Sequence, residues 1–285
     1  MPINGLFAPG EVLTAGNTNS LLTRGYSNRI INGAFVINQR GYTSGTNLAS
    51  GSYGFDRWKS GFTNTALTFT AGSQSTTVTI SASGVLQQIV ERENMPAGTY
   101  TLSWTGTATG RVYNVGGTPP AYGASPQIVT LDGTANVVVE FTADGGTRTL
   151  SLVQLEGGNV FSPFEYRLRG EELALCQRYT VRFQLTTANA RFGVGMVNGT
   201  ACQAYIVFPV PMRAAPTAIT TSATASEFGF FNGIAAVLGA SVPTFDAASV
   251  FGISVSMTNT TSITTNGGHM FRGSGSPFIQ VSVEL

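Results

Sequence analysis

The sequence predicts an all-β protein: an N-terminal arm, a jelly-roll β-sandwich, a short connecting helix and a C-terminal β-sandwich domain. Three observations carry this. Apolar residues alternate with hydroxyl-bearing ones along run after run, the period that sets one face of a strand on a core and the other in water. Turn signals rich in glycine separate the runs at short intervals, the spacing of a sandwich or jelly roll. One stretch, near residue 175, changes to a helical period.

Composition sets the limits. The 285 residues suffice for one large domain or two ordinary ones. Only 10% are charged and 42% are hydrophobic, so the chain can bury a core that offsets the entropy of ordering it. Low charge in a soluble chain suits surfaces hidden inside an assembly. The formal net charge is +1 and no run of Lys or Arg occurs, so no nucleic-acid partner is expected. No signal peptide and no apolar run long enough for a membrane span is found, so no membrane insertion is expected. Cys176 and Cys202 are the only cysteines, too few for a disulfide scaffold. They read as two buried free thiols, in a protein made in a reducing cytoplasm.

Residues 1–29 form the arm. Their apolar groups Leu6, Phe7, Val12, Leu13, Leu21 and Leu22 follow no period, yet are too many for a solvated tail. The arm is expected to anchor the chain to a neighbouring subunit or another component.

Residues 30–170 form the jelly-roll domain. Thr99 to Thr105 alternates Tyr100, Leu102 and Trp104 with hydroxyl residues, and Thr77 to Ser81 repeats the pattern. Val137 to Phe141 and Arg148 to Leu152 follow it less cleanly. Tyr100, Leu102, Trp104, Leu150 and Leu152 are therefore expected inside. Turn signals fall at Gly72, Gly84, Pro96, Asp132-Gly133 and Asp144-Gly145-Gly146.

The connecting helix is placed at 171–180. It opens on Glu171 and Glu172 and closes on Arg178, the charge order that suits the helix dipole. Leu173 and Cys176 share a side and should seat it. Residues 181–285 form the C-terminal β domain, with Tyr205, Val207, Ile253, Val255, Ile279, Val281 and Val283 expected in its core. Pro209 and Pro211 limit further pairing there.

Catalytic chemistry finds little support. His269 is the only histidine and sits in Asn266-Gly267-Gly268-His269, a segment that reads as a loop. No G-x-S-x-G elbow precedes it, and no ligand spacing marks a metal site. The 14 acidic residues could in principle hydrolyse a glycoside as a flanking pair, but no repeat or groove pattern supports it. No catalytic residue, cofactor or metal is assigned, and the protein is expected not to be an enzyme. Sugar stacking is the more credible activity, with Trp58, Tyr113 and Tyr122 as aromatic plates. Tyr113 and Tyr122 bracket the loop Gly116-Gly117-Thr118-Pro119-Pro120 and are expected to be exposed. Exposed tyrosines serve a protein interface equally well.

Three stretches carry a resemblance. The first is Ile31-Asn32-Gly33-Ala34-Phe35-Val36-Ile37-Asn38-Gln39-Arg40-Gly41, with Tyr53-Gly54-Phe55-Asp56-Arg57-Trp58 after it. The second is Val153 to Gly158, Ser162 to Arg167 and Glu171 to Tyr179, and the third is Phe208 to Thr217. Together they resemble tail-fibre and minor virion proteins of tailed bacteriophages, whose jelly roll is similar to carbohydrate-binding modules. The resemblance implies a virion protein assembled in the host cytoplasm, commonly a homotrimer. Its other virion partners would be met through the arm, and a host surface glycan is a further partner to consider. A tail fibre or similar appendage is the leading reading; the alternatives are a capsid decoration or head-fibre protein, and a receptor-binding lectin. The motif residues read chiefly as scaffold, with an ion pair between Asp56 and Arg57 beside Trp58.

Overall fold

A computed structural model describes residues 27–187, 190–231 and 236–285. The proposed anchor residues Leu6, Phe7, Val12, Leu13, Leu21 and Leu22 lie outside the described residues.

The first ten strands are β1 (Asn47–Leu48), β2 (Lys59–Ser60), β3 (Thr65–Ala71), β4 (Thr76–Ile80) and β5 (Val85–Val90), then β6 (Gly98–Gly106), β7 (Thr109–Asn114), β8 (Gln127–Leu131), β9 (Val137–Thr142) and β10 (Arg148–Gly157). They pair into a six-stranded sheet, β1-β3-β4-β10-β6-β8, and a four-stranded sheet, β2-β5-β9-β7. Alternation explains the packing. Tyr100, Leu102 and Trp104 from one sheet and Val137, Val139 and Phe141 from the other enter a single core, as in a β-sandwich. Phe35, Phe55 and Trp58 join that core from the segment before β2. Each such fully buried side chain contributes about 1.5–3 kcal/mol.

Leu152 departs from the expected pattern. It is half-buried, and Val153 and Leu155 take the core positions instead. The cause is a β-bulge: the β6–β10 register shifts between Ser151 and Gln154, and Leu152 has a φ of 51°. An inserted residue reverses which side chains face the core.

The remaining strands are β11 (Thr180–Gln184), β12 (Arg191–Val207), β13 (Thr220–Thr221), β14 (Phe228–Phe231), β15 (Ala236–Leu238), β16 (Thr244–Ser249), β17 (Gly252–Arg272) and β18 (Phe278–Ser282). β18 lies between β11 and β13 in a three-stranded sheet, while β12, β17, β14 and β15 run in order in a second, with β16 also on β17. β12 and β17 form a long ribbon that bends back on itself. Gly195 makes the bend possible: a Cβ there would sit 1.8 Å from the Gln203 carbonyl oxygen. Both sheets contribute to a second core, with Ile253, Val255, Ile279 and Val281 inside as expected.

Tyr205 and Val207 are exposed, not in that core. Cys202, Ala204 and Ile206 face inward, because Ala204 pairs with Val255 and Ile206 with Ile253. Tyr205-Ile206-Val207-Phe208 is uniformly apolar, so it offers no alternation from which to read the phase. His269 is also in a strand, not a loop: it lies in β17, opposite Val194 and Phe231. The neighbouring glycines do not break the strand: Gly268 pairs with Gly195 and Gly267 with Met196.

The helix α1 spans Arg169–Gln177, starting two residues and ending three residues before the expected 171–180. It seats through Cys176, which is buried, and Leu173, which is half-buried. Both cysteines are free and buried.

A polar seam joins the two sets of sheets. Arg57 and Arg40 both pair with Glu284, and the Arg57 guanidinium lies 3.5 Å from the centre of the Tyr179 ring. Gln39 donates to the Thr180 carbonyl at 2.9 Å, and Arg182 to the Arg40 carbonyl at 2.7 Å. The Tyr53 hydroxyl and Lys59 Nζ both donate to the Leu285 carbonyl oxygen, at 2.6 and 2.8 Å. The expected Asp56–Arg57 pair does not form. Asp56 instead accepts from the Gln39 backbone N–H at 2.6 Å and side chain at 2.8 Å.

Candidate functional site

The sugar-stacking candidates lead to the outer face of the four-stranded sheet. β5, β9 and β7 run side by side, and the register sets Gln87 and Arg111 on either side of Glu140. Side chains directly opposite in neighbouring strands share a face. Glu140 is fully buried, which a charge tolerates only when well partnered.

The partners are present. Arg111 Nε donates to Glu140 Oε1 at 2.7 Å, and the guanidinium reaches the same oxygen a second time at 2.5 Å. The Tyr122 hydroxyl donates to Oε1 and the Gln87 amide to Oε2. The Tyr113 hydroxyl donates to Oε2 at 3.2 Å. The loop carrying Tyr122 is held by paired Gly110–Gly123 backbone bonds of 2.9 Å and by Arg111 donating to the Pro120 carbonyl at 3.2 Å.

Tyr113 and Tyr122 do converge, but on this carboxylate rather than on open solvent. Tyr113 is only 9% exposed, contrary to expectation. Tyr122 is half-buried, and the Arg111 guanidinium lies 4.0 Å from the centre of its ring, so that face is not free for a sugar. Trp58 is not a surface plate at all. It has no exposed area, packs 4.8 Å from the Phe35 ring and donates its indole N–H to the Asn32 carbonyl at 3.0 Å. Sequence reading missed Arg111, Gln87 and Glu140. The available signal was a lone carboxylate between valines and Phe141 in a strand otherwise apolar.

The cluster holds its protons tightly. Burial, and then the charge of Glu140, push the Tyr113 hydroxyl up to about 12. Burial and the bond to Glu140 raise Tyr122 as well. A raised folded-state value means that the stabilisation is complete below pH about 10, the ordinary tyrosine value, and is lost as pH rises through about 12. An ultraviolet titration is therefore expected to show phenolate absorbance from Tyr113 appearing together with unfolding. A reversible titration of all nine tyrosines near pH 10, with the fold intact, would show the cluster to be open.

Larger recesses lie elsewhere among the described residues. A polar cleft of about 570 Å³ at the seam is lined by Glu91, Asn94, Asn136, Arg178 and Arg213. There Arg178 and Arg213 share Glu91, at 3.2 and 3.8 Å. A groove of about 520 Å³ on the ribbon is lined by Met196, Gln203, Thr244, Ser256 and Thr258 among others. A third, of about 310 Å³, is lined by Arg191, Phe231, Ala236, His269 and Phe271. Among the described residues, no three His, Cys, Asp or Glu side chains gather as a metal site would require.

No family model matches the chain, and no curated protein matches it. Among solved structures it is similar to a Paenibacillus sp. cycloisomaltooligosaccharide glucanotransferase complexed with cycloisomaltoheptaose. The identity is 12% and the TM-score 0.26, over 86% of this chain and 46% of that one. The chain thus spans about half the length of that enzyme. It is also similar to wild-type discoidin II from Dictyostelium discoideum, at 10% identity and a TM-score of 0.20, over 96% of this chain and 100% of that one. A recombinant discoidin II gives 8% identity and a TM-score of 0.21, over 92% and 94%.

Proposed function

We propose that this chain is a non-enzymatic structural protein of a tailed-bacteriophage particle, an oligomeric tail fibre or similar appendage assembled in the host cytoplasm. One observation carries the reading: the residues that resemble phage virion proteins are taken up in a buried scaffold. Asn32 bonds the Ile37 and Asp56 carbonyls at 2.8 and 3.0 Å. Glu165 accepts the Asn28 backbone N–H at 2.8 Å, and Gln154 accepts that of Glu165 at 2.8 Å. Arg167 reaches the Ile30 carbonyl at 2.9 Å and Glu172 at 3.2 Å. The second stretch is thus bolted onto the residues that lead into the first, which supports a framework role.

Surface chemistry supports self-association. Val194, Met196, Val207 and Phe251 are each more than 60% exposed on the C-terminal sheets, and Leu168 is 74% exposed before α1. Val194 and Met196 stand two apart on one strand and so share a face, and a contiguous apolar face of this kind supports contact with another chain. Native mass measurement is expected to give a homotrimer, and labelled antibody to decorate virions at the tail. A stable monomer at micromolar concentration would overturn the oligomeric reading. Label on the head alone would replace the appendage by a capsid decoration protein.

A further inference from the structure

We propose that the recess formed by Arg191, His269, Phe231 and Phe271 on the outer face of the C-terminal sheet binds a carboxylate-bearing sugar. The inference does not depend on where the chain sits in a virion, so its failure would leave that reading standing.

Strand register assembles the recess. Arg191 in β12 lies opposite Phe271 in β17, and Phe231 in β14 lies opposite His269. His269 and Phe271 are two residues apart, so their side chains share a face. The β12–β17 register shifts between Arg191 and Gly193. That bulge lets Phe192 enter the core while Arg191 stays outside, a way in which bulges re-aim side chains beside sites.

One wall is fixed by a glycine. A Cβ on Gly229 would sit 2.6 Å from the Phe271 ring, so that ring packs close against β14 at this glycine and is only 7% exposed. The opposite wall is Phe231, whose ring centre is 5.3 Å from that of His269 at an interplanar angle of 54°. The recess measures about 310 Å³, at the small end of the roughly 300–1,000 Å³ usual for ligand sites.

The chemistry is unbalanced in one direction. Among the described residues, no carboxylate lines the recess and Arg191 enters no ion pair. This sets it apart from Arg57, Arg111 and Arg167, each of which faces a glutamate. Arg191 is exposed and so remains available. A guanidinium grips a carboxylate with two parallel hydrogen bonds. Partial burial and the Arg191 charge hold His269 below its ordinary value, so at neutral pH it is an uncharged partner for a hydroxyl. The Phe231 ring offers an apolar plate to the C–H face of a pyranose. A cation, a neutral donor–acceptor and an aromatic plate in one recess match a sugar acid better than a neutral sugar, an inorganic anion or a peptide.

The test is calorimetric titration of the full chain with sialyllactose and with digalacturonate, using lactose as the neutral control. At least one carboxylated sugar is expected to bind and lactose is not; the two acids distinguish a sialylated from a uronate-bearing source. Arg191→Gln should weaken binding by on the order of 10- to 100-fold, the worth of hydrogen bonds to a charged group, with an unchanged circular dichroism spectrum. Phe231→Leu should likewise weaken whichever acid binds. The proposal is overturned if neither acid binds, if lactose binds as well as the acids, or if Arg191→Gln binds unchanged.

Discussion

Glu140→Ala is expected to lower the unfolding free energy by about 3–5 kcal/mol, the cost of breaking a buried ion pair by removing one partner. The variant leaves Arg111, Gln87 and two tyrosine hydroxyls without the acceptor they share. It also removes the side-chain bond by which Tyr122 ties its loop to the sheet, leaving the Gly110–Gly123 backbone pair to hold it. The measurement is chemical denaturation followed by tryptophan fluorescence, since Trp104 and Trp58 lie 5.1 and 6.1 Å from the ring of Phe141, the residue after Glu140. Arg111→Met combined with Glu140→Leu should recover much of the loss, because an apolar pair leaves no charge unpaired. If Glu140→Ala costs less than about 1 kcal/mol, the range of an exposed pair, the cluster is open to water and the tyrosines regain their candidacy as sugar plates.

The second large effect lies at the seam. Arg57→Ala removes a guanidinium that is 1% exposed, bonded to Glu284 and to the Ile89 carbonyl and stacked on Tyr179. A loss of about 3–5 kcal/mol is expected on the same ground. The more telling result is the shape of the transition. With the seam intact, thermal unfolding should be a single step. With Arg57→Ala, the two cores should melt separately, and limited proteolysis should cut near residues 157–170 or 186–191. A fragment of residues 27–180 keeps every residue of the first core and should fold, at reduced stability. An unfolded fragment would mean that the strands form one interdependent domain.

Much of the architecture was legible in the sequence because it rests on a local rule. Alternation placed Tyr100, Leu102 and Trp104 inside, and the acidic opening of α1 marked the only helix expected. The failures share a different cause. Leu152 was misplaced because a bulge breaks the period without changing composition. Tyr205 and Val207 were misplaced because four apolar residues in a row carry no phase, and only the pairing partner across the ribbon sets one. The site was less legible still. Tyr113 and Tyr122 read as exposed plates bracketing a loop, yet both hydroxyls meet Glu140, which comes from a strand whose neighbours no local pattern announces. Arg57 was given the carboxylate beside it in sequence, whereas its partner is 227 residues away.

That distance has a consequence for biogenesis. A ribosome adds about 5–20 residues per second and N-terminal units fold first, so Glu284 is synthesised roughly 10–45 s after Arg57. During that interval the nascent N-terminal sandwich can close its core, yet Arg40 and Arg57 still await Glu284, and Lys59 awaits Leu285. The growing chain therefore carries a temporary cationic face that the finished protein hides. Until Glu284 and Leu285 arrive, the Arg and Lys side chains of the N-terminal sandwich stay open to solvent, and completion of the seam is what hides them.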